Sequence, residues 1–170
     1  RIRDLVPTAS RVVATGRHIH LDKPAGPSLP AFQKLVVDAR RQKLTIQMGY
    51  MLRYNPAFQF MFQTVKKGWF GEIMEIDAMM GKLGGAGMRK DLAQFSGGGF
   101  FELACHILDS AVFLMGKPQK VHGITRRTKK GQGDTFADNQ LAVLEYPKAA
   151  VCLRCNHNDP FGFPRRRFNI

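Results

Sequence analysis

Two short stretches hold most of the chemistry this sequence offers. In the first, Asp22-Lys23-Pro24 closes the run Arg17-His18-Ile19-His20-Leu21. If that run is a parallel strand, its carboxyl end is the edge where open α/β sheets collect ligands. Proline fixes its own φ and biases the preceding residue towards extended backbone, so the Lys23 ammonium is expected to project from that edge. The plainer reading is a strand-ending turn. In the second stretch, Phe100 to Met115 has helical spacing, and at 100° per residue Glu102, His106 and Asp109 fall within an arc of about 60°. Phe100, Leu103, Ala104, Ile107, Leu108, Ala111 and Leu114 cover the other half. A histidine one turn after a carboxylate, introduced by Gly97-Gly98-Gly99, suits a general base beside an orienting acid. The carboxylate favours imidazolium, which keeps proton exchange near neutral pH. The plainer reading is a solvated helix face.

Other reactive residues point less clearly to a site. Cys152 and Cys155 sit three apart in a strand-like run, so their sulfurs are expected on opposite faces, and no metal is assigned to them. His18 and His20 share a strand face without an evident third ligand, and His122 has no partner that sequence alone supplies.

The elements that must position these residues can be read from periodicity and caps. A helix ending near Thr15 and Gly16, the strand Arg17 to Leu21, a helix capped by Ser28 and running to the basic cluster Arg40, Arg41, Lys43, and a strand Leu44 to Tyr50 make a parallel-sheet unit. Asn55-Pro56 starts a helix with Phe58, Met61, Phe62 and Val65 inward, ending near Gly68. Glu72 to Met80 alternates as a half-buried strand, and Gly81 to Gly87 reads as a flexible loop. Runs at Lys120 to Thr128, Phe136 to Glu145 and Ala149 to Asn156 read as antiparallel neighbours, joined by turns at Gly131-Gln132-Gly133 and Tyr146-Pro147-Lys148. Arg165 to Ile170 reads as one more strand. The predicted class is α/β, the C-terminal part of a Rossmann-type domain over 1–50, followed over 51–170 by an α+β domain. The second domain is expected to have an open, mainly antiparallel sheet with helices on one face.

Composition narrows the classes. In 170 residues, 44% are hydrophobic and 23% charged, which excludes global disorder and repetitive fibrous sequence. No window approaches 18 consecutive apolar residues, so no membrane partner is expected. Lys and Arg number 26 against 13 Asp and Glu, a net charge of +13. Its clusters at Arg40 and Arg41, Lys66 and Lys67, Arg126 to Lys130 and Arg165 to Arg167 lack a helix-turn-helix, a zinc finger or stacking aromatics. A solvated surface that steers anions is therefore preferred to a nucleic-acid-binding module. Three cysteines make no disulfide framework, and a reducing, cytoplasmic setting is expected. The chain starts at Arg1 without methionine and is read as part of a longer protein.

Taken in order, Gly16 to Ala25, Gly49-Tyr50-Met51-Leu52-Arg53-Tyr54-Asn55-Pro56, Gly97 to Asp109, Ala137-Asp138-Asn139 and the basic strand Arg165 to Ile170 resemble the Gfo/Idh/MocA family of NAD(P)-dependent oxidoreductases. The resemblance implies hydride transfer between NAD or NADP and a sugar, polyol or related hydroxyl compound. It makes His106 the catalytic base, Glu102 the acid one turn before it, and Lys23 the lysine between nicotinamide and substrate. Asp22, Lys23, Pro24 and Arg53 would hold the cofactor, and Tyr54 and Asp109 the substrate. A homodimer or homotetramer is implied as well. Asp22 stands for the usual Glu, Glu102 for the usual Asp and Ala104 for a common Gly, so each carboxylate changes its reach by about 1.5 Å. No G-x-G-x-x-G follows a strand, which places that fingerprint upstream of Arg1 and predicts that the chain by itself does not turn over. A silent sugar- or nucleotide-sensing regulator of the same fold is the alternative.

Overall fold

The computed structural model describes residues 2–128 and 133–170. Its contacts divide the chain into two units, Arg1–Tyr50 and Met51–Ile170. Lys129, Lys130 and most of the turn expected around Gly131-Gln132-Gly133 lie outside the described residues.

In the first unit α1 (Leu5–Ala14), β1 (Ile19–Leu21), α2 (Leu29–Arg41) and β2 (Ile46–Met48) alternate, and β1 pairs with β2 in parallel, Ile19 opposite Ile46 and Leu21 opposite Met48. Helix α1 starts at Leu5 and ends where the sequence predicts, next to Thr15 and Gly16. Pro7 sits in its first turn, where an N–H has no intrahelical acceptor anyway, so proline does not delay the helix. Ser28 caps α2, its Oγ accepting from Ala31 N at 3.3 Å. Val6, Ala9 and Val13 of α1 pack with Leu35 and Ala39 of α2 and Leu21 of β1 to form this unit's core.

The second unit opens with a short 3-10 turn (Met51–Tyr54), then α3 (Pro56–Lys66), whose cap Asn55 accepts from Ala57 N and Phe58 N. Strand β3 (Glu75–Gly81) comes next, then α4 (Ala86–Leu92), a π-helical segment (Phe100–Ala104) and α5 (Cys105–Met115). Strands β4 (Lys120–Arg126), β5 (Asn139–Glu145), β6 (Ala150–Asn156) and β7 (Arg167–Asn169) complete one sheet in the order β4-β5-β6-β3-β7. Neighbours are antiparallel except β3 with β6, which run in parallel from Glu75 opposite Ala150 to Gly81 opposite Asn156. The expected open, mainly antiparallel sheet is therefore present. The expected loop Gly81 to Gly87 is only partly one. Gly81 ends β3, Leu83 bridges to Asn158, and α4 starts at Ala86, because the glycine signal hides a two-turn helix.

Inward residues Ile76, Ala78 and Met80 of β3, Val151, Leu153 and Cys155 of β6, and Leu144 of β5 bury against Leu103, Ala104, Ile107 and Ala111. Helical cover thus lies on that face. Among the described residues, no helix is long and apolar enough to cross a membrane.

Candidate functional site

Strands β3 and β6 share a direction, so their carboxyl ends lie together, and the residues just beyond them, Lys82 and His157, are presented to the segment that carries Glu102 and His106. Glycine makes this approach feasible. A Cβ on Gly99 would stand 2.6 Å from His157 Nδ1, and Gly98, at φ +52°, would clash with Ala137 at 2.6 Å. The N–H groups here are satisfied from β5 and the residues leading into it, Gly99 donating to the Ala137 carbonyl (3.1 Å) and Phe100 to Gln140 Oε1 (2.9 Å).

The chain then winds as a π-helix over Phe100–Ala104, where sequence spacing predicts a continuous α-helix. An i→i+5 turn shifts the phase of the residues after it, and such turns recur at functional sites. Glu102, His106 and Asp109 consequently do not form one solvated stripe. The Glu102 carboxylate meets Lys82 Nζ at 2.7 Å and His157 Nε2 at 3.5 Å. His106, in the first turn of α5, is only 4% exposed. Among the described residues its Nδ1 has no hydrogen-bond partner, although the residue has other contacts. Asp109 forms a two-pronged ion pair with Arg53, Nε to Oδ2 and Nη2 to Oδ1 both at 2.7 Å, and the guanidinium lies 4.7 Å over the Phe113 ring. Arg53 and Asp109, read from sequence as cofactor and substrate contacts, are thus brought together and tie the 3-10 turn to α5. Tyr54 beside them is exposed.

In the first unit, Asp22-Lys23-Pro24 follows β1 as expected. Asp22 Oδ1 accepts from the Lys23 backbone N–H at 2.8 Å, the Lys23-Pro24 peptide is cis, Lys23 is half-buried and Pro24 buried. Gly49, at the same end of β2, would carry a Cβ 3.3 Å from the Leu21 carbonyl, so a side chain there would press against the end of β1. His18 Nδ1 accepts from Thr45 N at 2.9 Å, a packing role.

Cys152 and Cys155 occupy opposite faces of β6, the first half-buried and the second 1% exposed. Burial pushes the Cys155 thiol up to about 12, with the Glu102 charge adding to the shift, so it stays protonated beside His157 Nδ1 at 3.7 Å. His122 finds Glu145 at 2.8 Å across β4 and β5. Sequence reasoning misses both Lys82 and His157. The available signal is a cation directly after a strand at its carboxyl end.

A second polar cluster ties α4 to the sheet. Arg89, 2% exposed, reaches Asp134 at 2.6 Å, Asp138 at 2.7 Å and Asn158 at 3.0 Å, over the face of Phe136. Burial lowers the Arg89 pKa, but the two carboxylates outweigh it and hold the value above the ordinary one. The Arg89 hydrogen bond in turn holds Asp134 below the usual carboxylate range.

The model of the GFO/IDH/MocA C-terminal domain matches residues 58–170. The chain is 28% identical over 138 residues to trans-1,2-dihydrobenzene-1,2-diol dehydrogenase of Bos taurus, covering 79% of this chain and 40% of that protein. It is 32% identical over 122 residues to glucose-fructose oxidoreductase domain-containing protein 1 of Mus musculus, covering 69% and 31%. The chain thus spans less than half the length of these relatives. An oxidoreductase structure from Bacillus cereus shares the fold, with TM-score 0.82 at 20% identity over 99% of this chain and 48% of that one. The matched segment contains β3 to β7, the π turn and the buried histidine, and by that match the chain belongs to the GFO/IDH/MocA family of oxidoreductases.

Proposed function

We propose that this chain supplies the acid–base residues of an NAD- or NADP-dependent oxidoreductase acting on the CH–OH group of a sugar, polyol or related hydroxyl compound. The observation that carries the reading is His106: an imidazole enclosed at the start of α5, one turn after a carboxylate, in a chain of an oxidoreductase family. His106 takes the hydroxyl proton as hydride leaves the adjacent carbon. Glu102, held by Lys82, sets the charge near that base. Lys23 stabilises the developing oxyanion, and Tyr54 and Asp109 contact substrate.

The residues present fit such a cofactor, because a half-buried ammonium at the carboxyl end of a parallel pair suits an anionic, phosphate-bearing molecule. The cofactor, when bound, accepts or returns the hydride. Asp22, Lys23, Pro24 and Arg53 are the residues proposed to hold it, Arg53 through the turn it fixes with Asp109.

The family resemblance also supports a homodimer or homotetramer. The sheet face opposite α5 bears Ile124, Leu141, Val143 and Met79, with Arg154 standing between Leu141 and Met79, a mixed face on which apolar contact and charge pairing could both serve a second copy. Light scattering coupled to size exclusion should read more than one chain per particle, and a monomer for Val143→Glu.

The test of the reaction is NAD(P)H formation from a panel of polyols and sugars, measured on the longest native polypeptide that contains this chain. His106→Gln is expected to lower turnover about 100- to 10,000-fold without loss of the folded state. Lys23→Met should fall in the same range. Cofactor binding without turnover on any panel member would overturn the enzyme and leave the second reading, a ligand-sensing regulator. The engagement of Glu102 by Lys82 and His157 is the observation that favours that reading.

A further inference from the structure

The arginines of the second unit differ in what neutralises them. Arg53 has Asp109, Arg89 has Asp134 and Asp138, Arg154 and Arg167 share Asp77, and Arg165 has Asp159. Arg166 is half-buried, yet among the described residues no carboxylate stands within salt-bridge distance of it. Its Nε donates to the Gly81 carbonyl at 3.3 Å and its guanidinium lies 4.4 Å over Phe163. One acceptor and one ring leave most of its five N–H donors unused. Glu102 is near enough to be felt, but its carboxylate is committed to Lys82 at 2.7 Å. Burial is the main influence on Arg166 and lowers its pKa. A cation in that position lacks its counter-charge.

Arg166 also forms one wall of a cavity of about 340 Å³ that Arg167 borders as well and whose remaining lining is apolar, chiefly Leu52, Phe58, Met61, Met80 and Phe168. That volume lies in the range of small-ligand pockets, which combine apolar lining with few placed polar groups. The methionines let the walls adapt to a ring or a branched chain.

We propose that the cavity between α3, β3 and β7 binds a small monocarboxylic acid with an aromatic or branched apolar body, its carboxylate on Arg166. A guanidinium offers parallel N–H donors that match the two oxygens of a carboxylate. A monoanion matches Arg166, the arginine of the lining without a carboxylate partner among the described residues, whereas a phosphate monoester would bring more negative charge towards Glu102. Arg167 is already engaged, its Nε and Nη2 meeting Asp77 Oδ1 at 3.0 Å, although it shares that carboxylate with Arg154. The proposal concerns binding alone and stands or falls independently of the hydride chemistry.

Calorimetric titration of the chain with phenylacetate and its neutral counterpart phenylacetamide, at low ionic strength and without cofactor, tests it. Phenylacetate is expected to saturate one site and to bind about tenfold or more tighter than the amide, an effect the size of a hydrogen bond to a charged group. Arg166→Gln should bring the two ligands to equal affinity, while Arg126→Gln, at an exposed strand end, keeps the preference. Equal affinities in the unaltered chain, no saturable binding of phenylacetate, or a preference that survives Arg166→Gln would each overturn the proposal. Should Arg166→Gln not fold, Met61→Trp, which fills the cavity, must abolish phenylacetate binding, and binding that persists overturns it equally.

Discussion

Arg89 and Lys82 each bring a cation to carboxylates beyond the carboxyl ends of β3 and β6, yet they stand in opposite conditions. Arg89 is 2% exposed and meets two carboxylates and an amide, and Asp138, fully buried, also accepts from Thr128 N, Thr128 Oγ1 and Asn158 Nδ2. Lys82 pairs with Glu102, and the two side chains keep 28% and 19% of their exposure. The first cluster is closed, with each of the three guanidinium nitrogens committed, so it fixes α4, the 134–138 segment and the end of β6. The second is open, so its members can exchange partners with an incoming hydroxyl compound. Water access, more than charge count, separates the structural cluster from the candidate site.

The sharpest way to break that comparison is Arg89→Leu. It strands Asp138 with no cation in a dry setting, and removing one partner of a buried pair costs about 3–5 kcal/mol. Urea denaturation should show a drop of that order. A loss below about 1 kcal/mol would mean that the cluster is not closed.

Asp134→Asn is the next largest. It removes a charged hydrogen bond to Arg89, about 1.5–3 kcal/mol at neutral pH. The Arg89 hydrogen bond lowers the folded-state pKa of Asp134 below its ordinary value. The stabilisation is therefore complete above the ordinary carboxylate value of about 4, and lost as pH falls through the lowered one. Denaturation midpoints against pH should fall steeply on acidification in the unaltered chain and less in Asp134→Asn. Parallel curves would show that this carboxylate does not sense Arg89.

Lys82→Met should cost little by comparison. Pairs that keep solvent access contribute about 0–1 kcal/mol, and here Glu102 retains His157. A midpoint close to that of the unaltered chain, with altered turnover, would mark the open cluster as functional. A loss as large as that of Arg89→Leu would erase the distinction between the two.

Much of this framework is legible in the sequence because it is local. Ser28 and Asn55-Pro56 announce α2 and α3 by short-range hydrogen bonds, and strand-like runs between turn residues give away β4 to β6. The candidate base His106 stands out by its place after three glycines. The illegible part depends on contacts between distant residues. Glu102 and His157 are 55 positions apart, and Arg89 and Asp138 are 49 apart, so nothing in either segment names its partner. The π turn is hidden for a different reason: five residues at i→i+5 leave no periodicity, and the apolar run reads as ordinary α-helix. Helix α4 is lost behind the glycines that precede it.

The smallest expected effect concerns the thiol between the two clusters. Cys155 is 1% exposed, its sulfur lies 3.7 Å from His157 Nδ1, and burial pushes its pKa to about 12. Only thiolate is nucleophilic, so at mildly alkaline pH this cysteine should resist iodoacetamide while the native state persists. Cys105 and Cys152 are half-buried and should react first, and all three should react in urea. Mass spectrometry of peptides after timed alkylation reads the order directly. If Lys82→Met leaves Cys155 protected and Arg89→Leu exposes it, enclosure of the sheet end comes from the Arg89 cluster. Early labelling of Cys155 in the unaltered chain would show that water reaches His157, and the boundary between closed and open clusters would have to move.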